Sequence, residues 1–274
     1  MAEARLRFVQ YAVLRAVASS RALSSILVLK GGNALDFVWR PNRSTLDLDF
    51  SVDEAAQPSP LDTESLRSLL QPALEMVGRT LGIAFRVQSV EQHPPGPNRH
   101  FVTFEAKIGF ALPDQLRGRA QIEQGRPVSS VVTLEISINE PICADEGINI
   151  GGLHPLRVCT LDDIVAEKLR ALLQQKSRNR TRRQDLLDIA VILRGPAMLD
   201  PARVSCFLLR KAAARQVPVS RNAFRDPDLA ERARRDYDAL RLTTREEFVP
   251  FEEARDSLLA FVEGLDIPEV TVPE

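Results

Sequence analysis

With 274 residues, 44% of them apolar and 27% charged, the chain has the composition of an ordinary soluble globular protein and the length for one large or two modest domains; disordered and fibrous readings are excluded. A formal net charge of −1 excludes a global basic field, so any nucleic-acid partner must be met by a local patch. Cys143, Cys159 and Cys206 are odd in number, and neither they nor His93, His100 and His154 show zinc-ligand spacing, which points to a reducing cytoplasm.

The opening MAEARLRFVQYAVLRAVASS lacks the long apolar run of a signal peptide or membrane span. Its Leu6, Val9, Val13 and Val17 recur at three- and four-residue spacing, which predicts an amphipathic first helix. ILVL (26–29) predicts a buried strand, GNALDFVW (32–39) a short helix and LDLDF (46–50) a strand with alternating faces. A helix is expected from about Asp62 to Gly82, with Leu66, Leu69, Leu70, Leu74 and Val77 on one side. Three strands follow, AFRVQSV (84–90), HFVTFEAKI (100–108) and VVTLEISI (131–138). Between the last two, PDQLRGRAQIEQGRPVSS reads as an exposed loop or long hairpin connection.

From about residue 155 the pattern turns helical. Thr160 and Asp163 resemble a cap for LDDIVAEKLRALLQQK, and RQDLLDIAVIL is a second helix stopped by Gly195-Pro196. Helical patterns around 201–214, 228–240 and 251–264 complete the chain. The expected organisation is an N-terminal lobe of strands and helices over 1–154 and a helical lobe over 155–274.

Asp47 and Asp49 alternate along LDLDF, and the two-residue period of a strand puts both carboxylates on one face. A half-exposed strand shows such alternation anyway; the other reading is that a cation joins two charges that otherwise repel. Gly31-Gly32 lies where backbone N–H groups can approach phosphate oxygens with no Cβ in the way, or serves only a tight turn. Glu135, between Leu134 and Ile136, is either solvent-facing or the third carboxylate of a two-metal phosphoryl-transfer site. Only five of the 36 cationic residues are lysines, so each merits inspection. Lys168 shares the stripe of Leu161, Ile164, Val165 and Leu172, either snorkelling from its edge or held inward toward phosphates. KSRNRTRR (176–183) carries five cations in eight residues, as a solvated loop or a dock for RNA phosphates at Arg178, Arg180, Arg182 and Arg183.

The order of strand, Gly-Gly, helix, hydrophobic-Asp-hydrophobic-Asp and a separate hydrophobic-acid-hydrophobic strand resembles the nucleotidyltransferase fold of the polymerase β superfamily. Within it, LKGGNALDF, RSTLDLDF, DDIVAEKLRALLQ and RRQDLLDI together resemble the AbiEii/AbiGii family, the nucleotidyltransferase-like toxins of type IV toxin–antitoxin systems, over about residues 27 to 193. The resemblance implies an α+β protein, a polymerase β-like lobe with a mixed sheet followed by a mainly helical lobe. It implies that Asp47, Asp49 and Glu135 hold two Mg²⁺ ions, and that Lys30, Gly31, Gly32, Arg43, Ser44 and Lys168 position the triphosphate of an NTP substrate. Lys168 and Asp185 stand at the family's functional lysine and aspartate, with Asp188 one turn on. Gln184 separates Asp185 from the arginine that the family often places next to it, which leaves the partner of Asp185 open.

The activity so implied moves a nucleoside monophosphate from an NTP to the 3′ end of tRNA, releasing pyrophosphate and blocking translation in a bacterial cytoplasm. A cognate antitoxin is expected as partner, and no membrane. Alternative acceptors are a protein hydroxyl or a small molecule such as an aminoglycoside; an alternative of another class is a catalytically silent protein that binds nucleotide, RNA or a partner.

Overall fold

The apolar stripe of α1 (Ala2–Ser19) buries Val9, Val13 and Val17 completely. A short α2 (Arg21–Ile26), begun where the Ser20 hydroxyl accepts from the Leu23 N–H, turns the chain into β1 (Leu27–Leu29), buried at every residue. Next, α3 (Gly31–Ala34) continues into a π-helical turn, Leu35–Trp39, and β2 (Leu48–Val52) returns antiparallel to β1. A capping box between Asp62 and Ser65 starts α4 (Thr63–Leu81), and Gly82, at φ 72°, ends it in the left-handed conformation that suits glycine. Then come β3 (Ala84–His93), β4 (Thr103–Ala111), α5 (Leu116–Glu123), β5 (Val131–Ser137), β6 (Asp145–Ile148) and β7 (Leu156–Cys159). The computed structural model describes residues 2–43, 45–56, 61–96, 101–196 and 198–270. Two compact units result: Met1–Val38 with Thr45–Cys159, and Trp39–Ser44 with Thr160–Glu274.

The first unit is built on a mixed seven-stranded sheet in the order β3-β4-β5-β2-β1-β7-β6. The pairs β2/β5 and β1/β7 are parallel and the rest antiparallel. Phe50, Ala106, Ile108, Leu134 and Ile136 are buried on one face, where α4 lies against β3 and α1 against β5 and β7. At the alternate positions stand Asp49, Glu105, Lys107, Thr133, Glu135 and Ser137, none of them fully buried.

Several expectations need correction. The second strand starts at Leu48, so Asp47 lies in the bend before it. Helix α5 occupies the expected loop; it approaches β4 through Gly118, where a Cβ would meet that of Ala111 at 3.1 Å. β7 lies in the stretch expected to be helical, too short at four residues to show alternation, yet it pairs in parallel with β1. The strand expected from His100 begins at Thr103; His100 itself lies outside the described residues.

In the second unit the Thr160 hydroxyl caps α6 (Leu161–Leu173), accepting from the Asp163 N–H at 3.4 Å. There follow α7 (Gln175–Arg178), α8 (Arg183–Arg194), α9 (Pro201–Ala214), α10 (Arg221–Phe224), α11 (Pro227–Arg234) and α12 (Phe251–Glu263). Buried on nearly every side, α6 packs against α8 and α9, while α12 packs on α8. The pattern expected over 228–240 divides into α11 and a 3₁₀ segment, Tyr237–Leu242, whose Tyr237 hydroxyl donates to the Val249 carbonyl at 3.1 Å. Segment Trp39–Ser44 belongs here because buried Asn42 accepts from the N–H of Glu247 (2.8 Å) and donates to its carbonyl (2.8 Å). No helix among the described residues is long and apolar enough to cross a membrane.

Candidate active site

Register places a row of acids across the other sheet face. Asp49 stands opposite Glu135, Glu135 opposite Glu105, and Glu105 opposite Glu91, and residues in register point to the same side. Lys107 pairs with Glu105 at 3.0 Å and offsets its charge. Asp49 and Glu135, both half-buried, stand in register on parallel strands.

The turn after β1 is shaped around Asp49. The Lys30 N–H donates to the Asp49 carbonyl at 2.9 Å, and Gly31, at φ 64°, presents its bare Cα to the carboxylate. A Cβ there would lie 2.9 Å from Asp49 Oδ2, so glycine serves a close approach as well as a turn. The Lys30 ammonium donates to Ser137 Oγ at 3.0 Å and pairs with Glu140, which ties this turn to the end of β5. Two residues that periodicity does not single out hold the chain ahead of β2. Gln10 Nε2 donates to the carbonyls of Thr45 and Leu46 at 2.9 Å each, and Asn33 Nδ2 donates to that of Asp47. These side-chain amides take the place of ladder hydrogen bonds, which is why the strand starts late and Asp47 stays exposed. A signal for Gln10 exists in the sequence: an amide on the apolar stripe, one turn after Leu6 and next to Val9. Asn33 directly follows Gly-Gly.

Lys168, Asp185, Asp188 and Arg43 come together in the second unit. The Lys168 ammonium, almost wholly buried, lies 2.8 Å from Asp185 and 2.7 Å from Asp188. Arg43 grips Asp188 through two donors, at 3.1 and 3.0 Å. Burial works against both charges, yet the Asp185 and Asp188 carboxylates outweigh it and hold the Lys168 pKa above its ordinary value. Likewise Asp188 is buried, yet Lys168 and Arg43 hold its pKa below the usual carboxylate range. The open question about Asp185 is thereby answered: its partner is Lys168, with Arg182 farther off at 3.7 Å. Of the basic run, Arg178 and Arg180 are exposed. Arg183 donates to Asp236 and to the Arg235 carbonyl, each at 3.2 Å. Ser44 lies outside the described residues.

Among the described residues no three His, Cys, Asp or Glu side chains converge into a ready-made metal cage. Magnesium in nucleotide-handling sites does not require one, because one or two carboxylates, water and substrate phosphates complete its shell. Asp49 and Glu135, two hard oxygen donors in register on adjacent strands, fit such an ion.

A mixed sheet carrying an acid pair against a Gly-Gly turn, followed by a helical unit, is the framework of a nucleotidyltransferase. The family described as nucleotidyl transferase AbiEii toxin, type IV TA system, matches residues 12–258. The chain belongs to this family of nucleotidyltransferase toxins. Its fold is shared with the crystal structure of JHP933 from Helicobacter pylori, at 14% identity and a TM-score of 0.53, covering 95% of this chain and 90% of that one. A second H. pylori protein, provisionally assigned as a nucleotidyltransferase, is 15% identical with a TM-score of 0.51, covering 95% and 93% of the two chains. No curated protein matches. As the toxin of a toxin–antitoxin pair, the protein has an antitoxin for partner.

Proposed function

We propose that the protein transfers a nucleoside monophosphate from an NTP to the 3′ end of tRNA, blocking translation in the bacterial cytoplasm until its antitoxin intervenes. The observation that carries this reading is the in-register pair Asp49 and Glu135 on one sheet face, with Gly31 pared back to admit the Asp49 carboxylate. Asp47, Asp49 and Glu135 would hold magnesium, which would supply activation of the attacking hydroxyl and charge compensation for the departing pyrophosphate. Asn33 and Gln10 orient the bend that carries Asp47. Lys30, Gly31 and Gly32 position the triphosphate, the Lys30 side chain remaining anchored on Glu140. Asp188 fixes the guanidinium of Arg43 in one orientation, Lys168 keeps Asp188 ionised, and Asp185 completes that network. Arg178, Arg180, Arg182 and Arg183 meet RNA phosphates.

The test is incubation with each labelled NTP, Mg²⁺ and total tRNA, followed by separation of RNA from protein on a gel. Label in tRNA supports the reading. Label that appears only in protein or in a small molecule overturns the acceptor, and no incorporation from any NTP overturns the transfer itself.

A further inference from the structure

The first unit carries a cluster of arginines that the transfer chemistry does not use. At the edge strand β3 a cleft of about 560 Å³ is lined by Arg79 from the last turn of α4, Arg86 from β3 and Arg119 from α5, with Glu75 and Glu123 at its walls, so that cations outnumber acids by three to two. On the other flank of α5 a second cleft, of about 630 Å³, is lined by Arg117, Asp114, Gln121, Ser129 and Ser130, and Asp114 is itself paired with Arg5. Among the described residues no carboxylate pairs with Arg79, Arg86 or Arg117, whereas most arginines elsewhere in the chain are engaged in ion pairs. Arg119 donates to the Gly82 carbonyl at 2.6 Å and so braces α5 against the end of α4. The loop after α5 is held as well: Gln88 reaches across Gly109, where a Cβ would collide with it, to donate to the Val128 carbonyl at 3.0 Å.

One of these arginines, Arg86, shares the face of the acid row. Arg86 is in register with Gly109, which follows Glu105 and Lys107 at alternate positions of β4, so Arg86 projects from the same sheet face as Asp49 and Glu135. From Glu135 to Arg86 the backbone path crosses two strand spacings and about four residues, roughly 17 Å. A stacked single strand covers that span in about five phosphates.

We propose that the arginine-lined clefts around α5 bind the sugar-phosphate backbone of the acceptor RNA, on the stretch that leads away from its reacting end. The proposal rests on the reading that Asp49 and Glu135 carry out transfer to RNA. Phosphate is favoured over the carboxylates of an acidic protein because Arg86 stands on the face that bears the transferring acids, and because guanidinium forks bridge phosphate oxygens.

The experiment measures binding of labelled total tRNA to the full chain over a salt series, for wild type and for the triple variant Arg79→Gln, Arg86→Gln, Arg117→Gln. Each phosphate left without its arginine takes about 0.7 from the slope of log affinity against log salt, so the variant's slope should be shallower by about 2, a loss of about a hundredfold at 0.1 M relative to 1 M salt. The same three positions changed to Lys should recover most of the slope. An unchanged slope in the Gln variant overturns the proposal, as does failure of the Lys variant to restore it, or loss of polyglutamate binding while tRNA binding persists. Transfer assayed in parallel separates the two readings. A shallower slope in a protein that labels no RNA keeps the cleft and removes the acceptor; RNA labelling with an unchanged slope does the reverse.

Discussion

Asp49 and Glu135 are like charges set side by side on a sheet face, while Lys168 and Arg43 are cations held within 3.1 Å of the Asp188 carboxylate in a buried cluster. The residue types are the same, and the surroundings reverse their consequences. In the buried cluster each charge is desolvated and must be neutralised by a neighbour, so removing one member leaves another stranded. On the sheet face water can reach the carboxylates, so repulsion is tolerable and becomes useful once a cation arrives. In the buried cluster the charges hold the fold together, and on the sheet face the paired acids are placed for chemistry. That contrast can be tested from both sides.

The largest effect should fall on the sheet face. Asp49→Asn keeps the shape that Gly31 accommodates and removes the charge, so transfer should drop at least about a thousandfold, ~4 kcal/mol in the transition state. Stability should change by less than about 1 kcal/mol, because the loss of a like-charge neighbour for Glu135 offsets any hydrogen bond weakened. Single-turnover transfer and urea unfolding, measured on the same preparation, check both. Retained transfer, or a collapse in stability, would erase the distinction between the two regions.

Lys168→Met should show the opposite profile. It strands Asp185 and Asp188 against each other, and breaking a buried pair typically costs about 3–5 kcal/mol; the lower end applies because Asp185 retains some exposure. The pH dependence follows from the shifts. The Asp188 pKa is depressed in the folded chain, so its contribution is present above the ordinary carboxylate range, about pH 4, and is lost as pH falls through the folded value. The Lys168 pKa is raised, so its contribution is full below about pH 10 and is lost only as pH rises through the folded value. Wild type minus variant should therefore give a plateau of stability between those limits, falling at both ends. A difference that changes near pH 7 would show that other groups control the cluster.

How much of this was legible in the sequence depends on whether the deciding contact is local. The cap at Thr160, the stripe of α1 and the span of α4 from about Asp62 to Gly82 were readable because each depends on residues close together in the chain. The acids themselves were readable as residue types. Their partnership was not, because Asp49 meets Glu135 only through the pairing of β2 with β5, 86 positions apart in the chain. Asn42 is tied to Glu247 across a still wider gap, and Lys168 to Asp185 across a helix junction, so burial and partners had to come from the fold. The strand boundary at Leu48 escapes periodicity for a related reason: Gln10 and Asn33 satisfy carbonyls that an alternating pattern assigns to a ladder.

Gly31→Ala sharpens the comparison on the sheet side. A side chain in the left-handed region costs about 1–2 kcal/mol, and its Cβ would also push on Asp49 Oδ2. Gly31→Asn separates the two costs, since asparagine tolerates positive φ but carries the same Cβ. Asparagine should recover part of the lost melting temperature and little of the lost transfer. Equal recovery of both would mean that Gly31 serves the turn alone and owes nothing to Asp49.

The smallest effect is expected in the basic run, where exposed and engaged arginines stand within six residues of each other. Arg178 and Arg180 are exposed, whereas Arg182 approaches Asp185 and Arg183 holds Asp236. Changing the exposed pair to Gln should alter the melting temperature by no more than about 2 °C, as for surface positions without partners. If both meet RNA, the same variant should lower the salt slope of tRNA binding by about 1.4, near 0.7 for each arginine neutralised. Changing Arg182 and Arg183 should lower the slope less, because each guanidinium must first leave a carboxylate before it can serve a phosphate. Equal losses from both pairs would mean that Asp185 and Asp236 release their arginines on binding. No loss from either would place the acceptor on the arginines of the sheet unit alone.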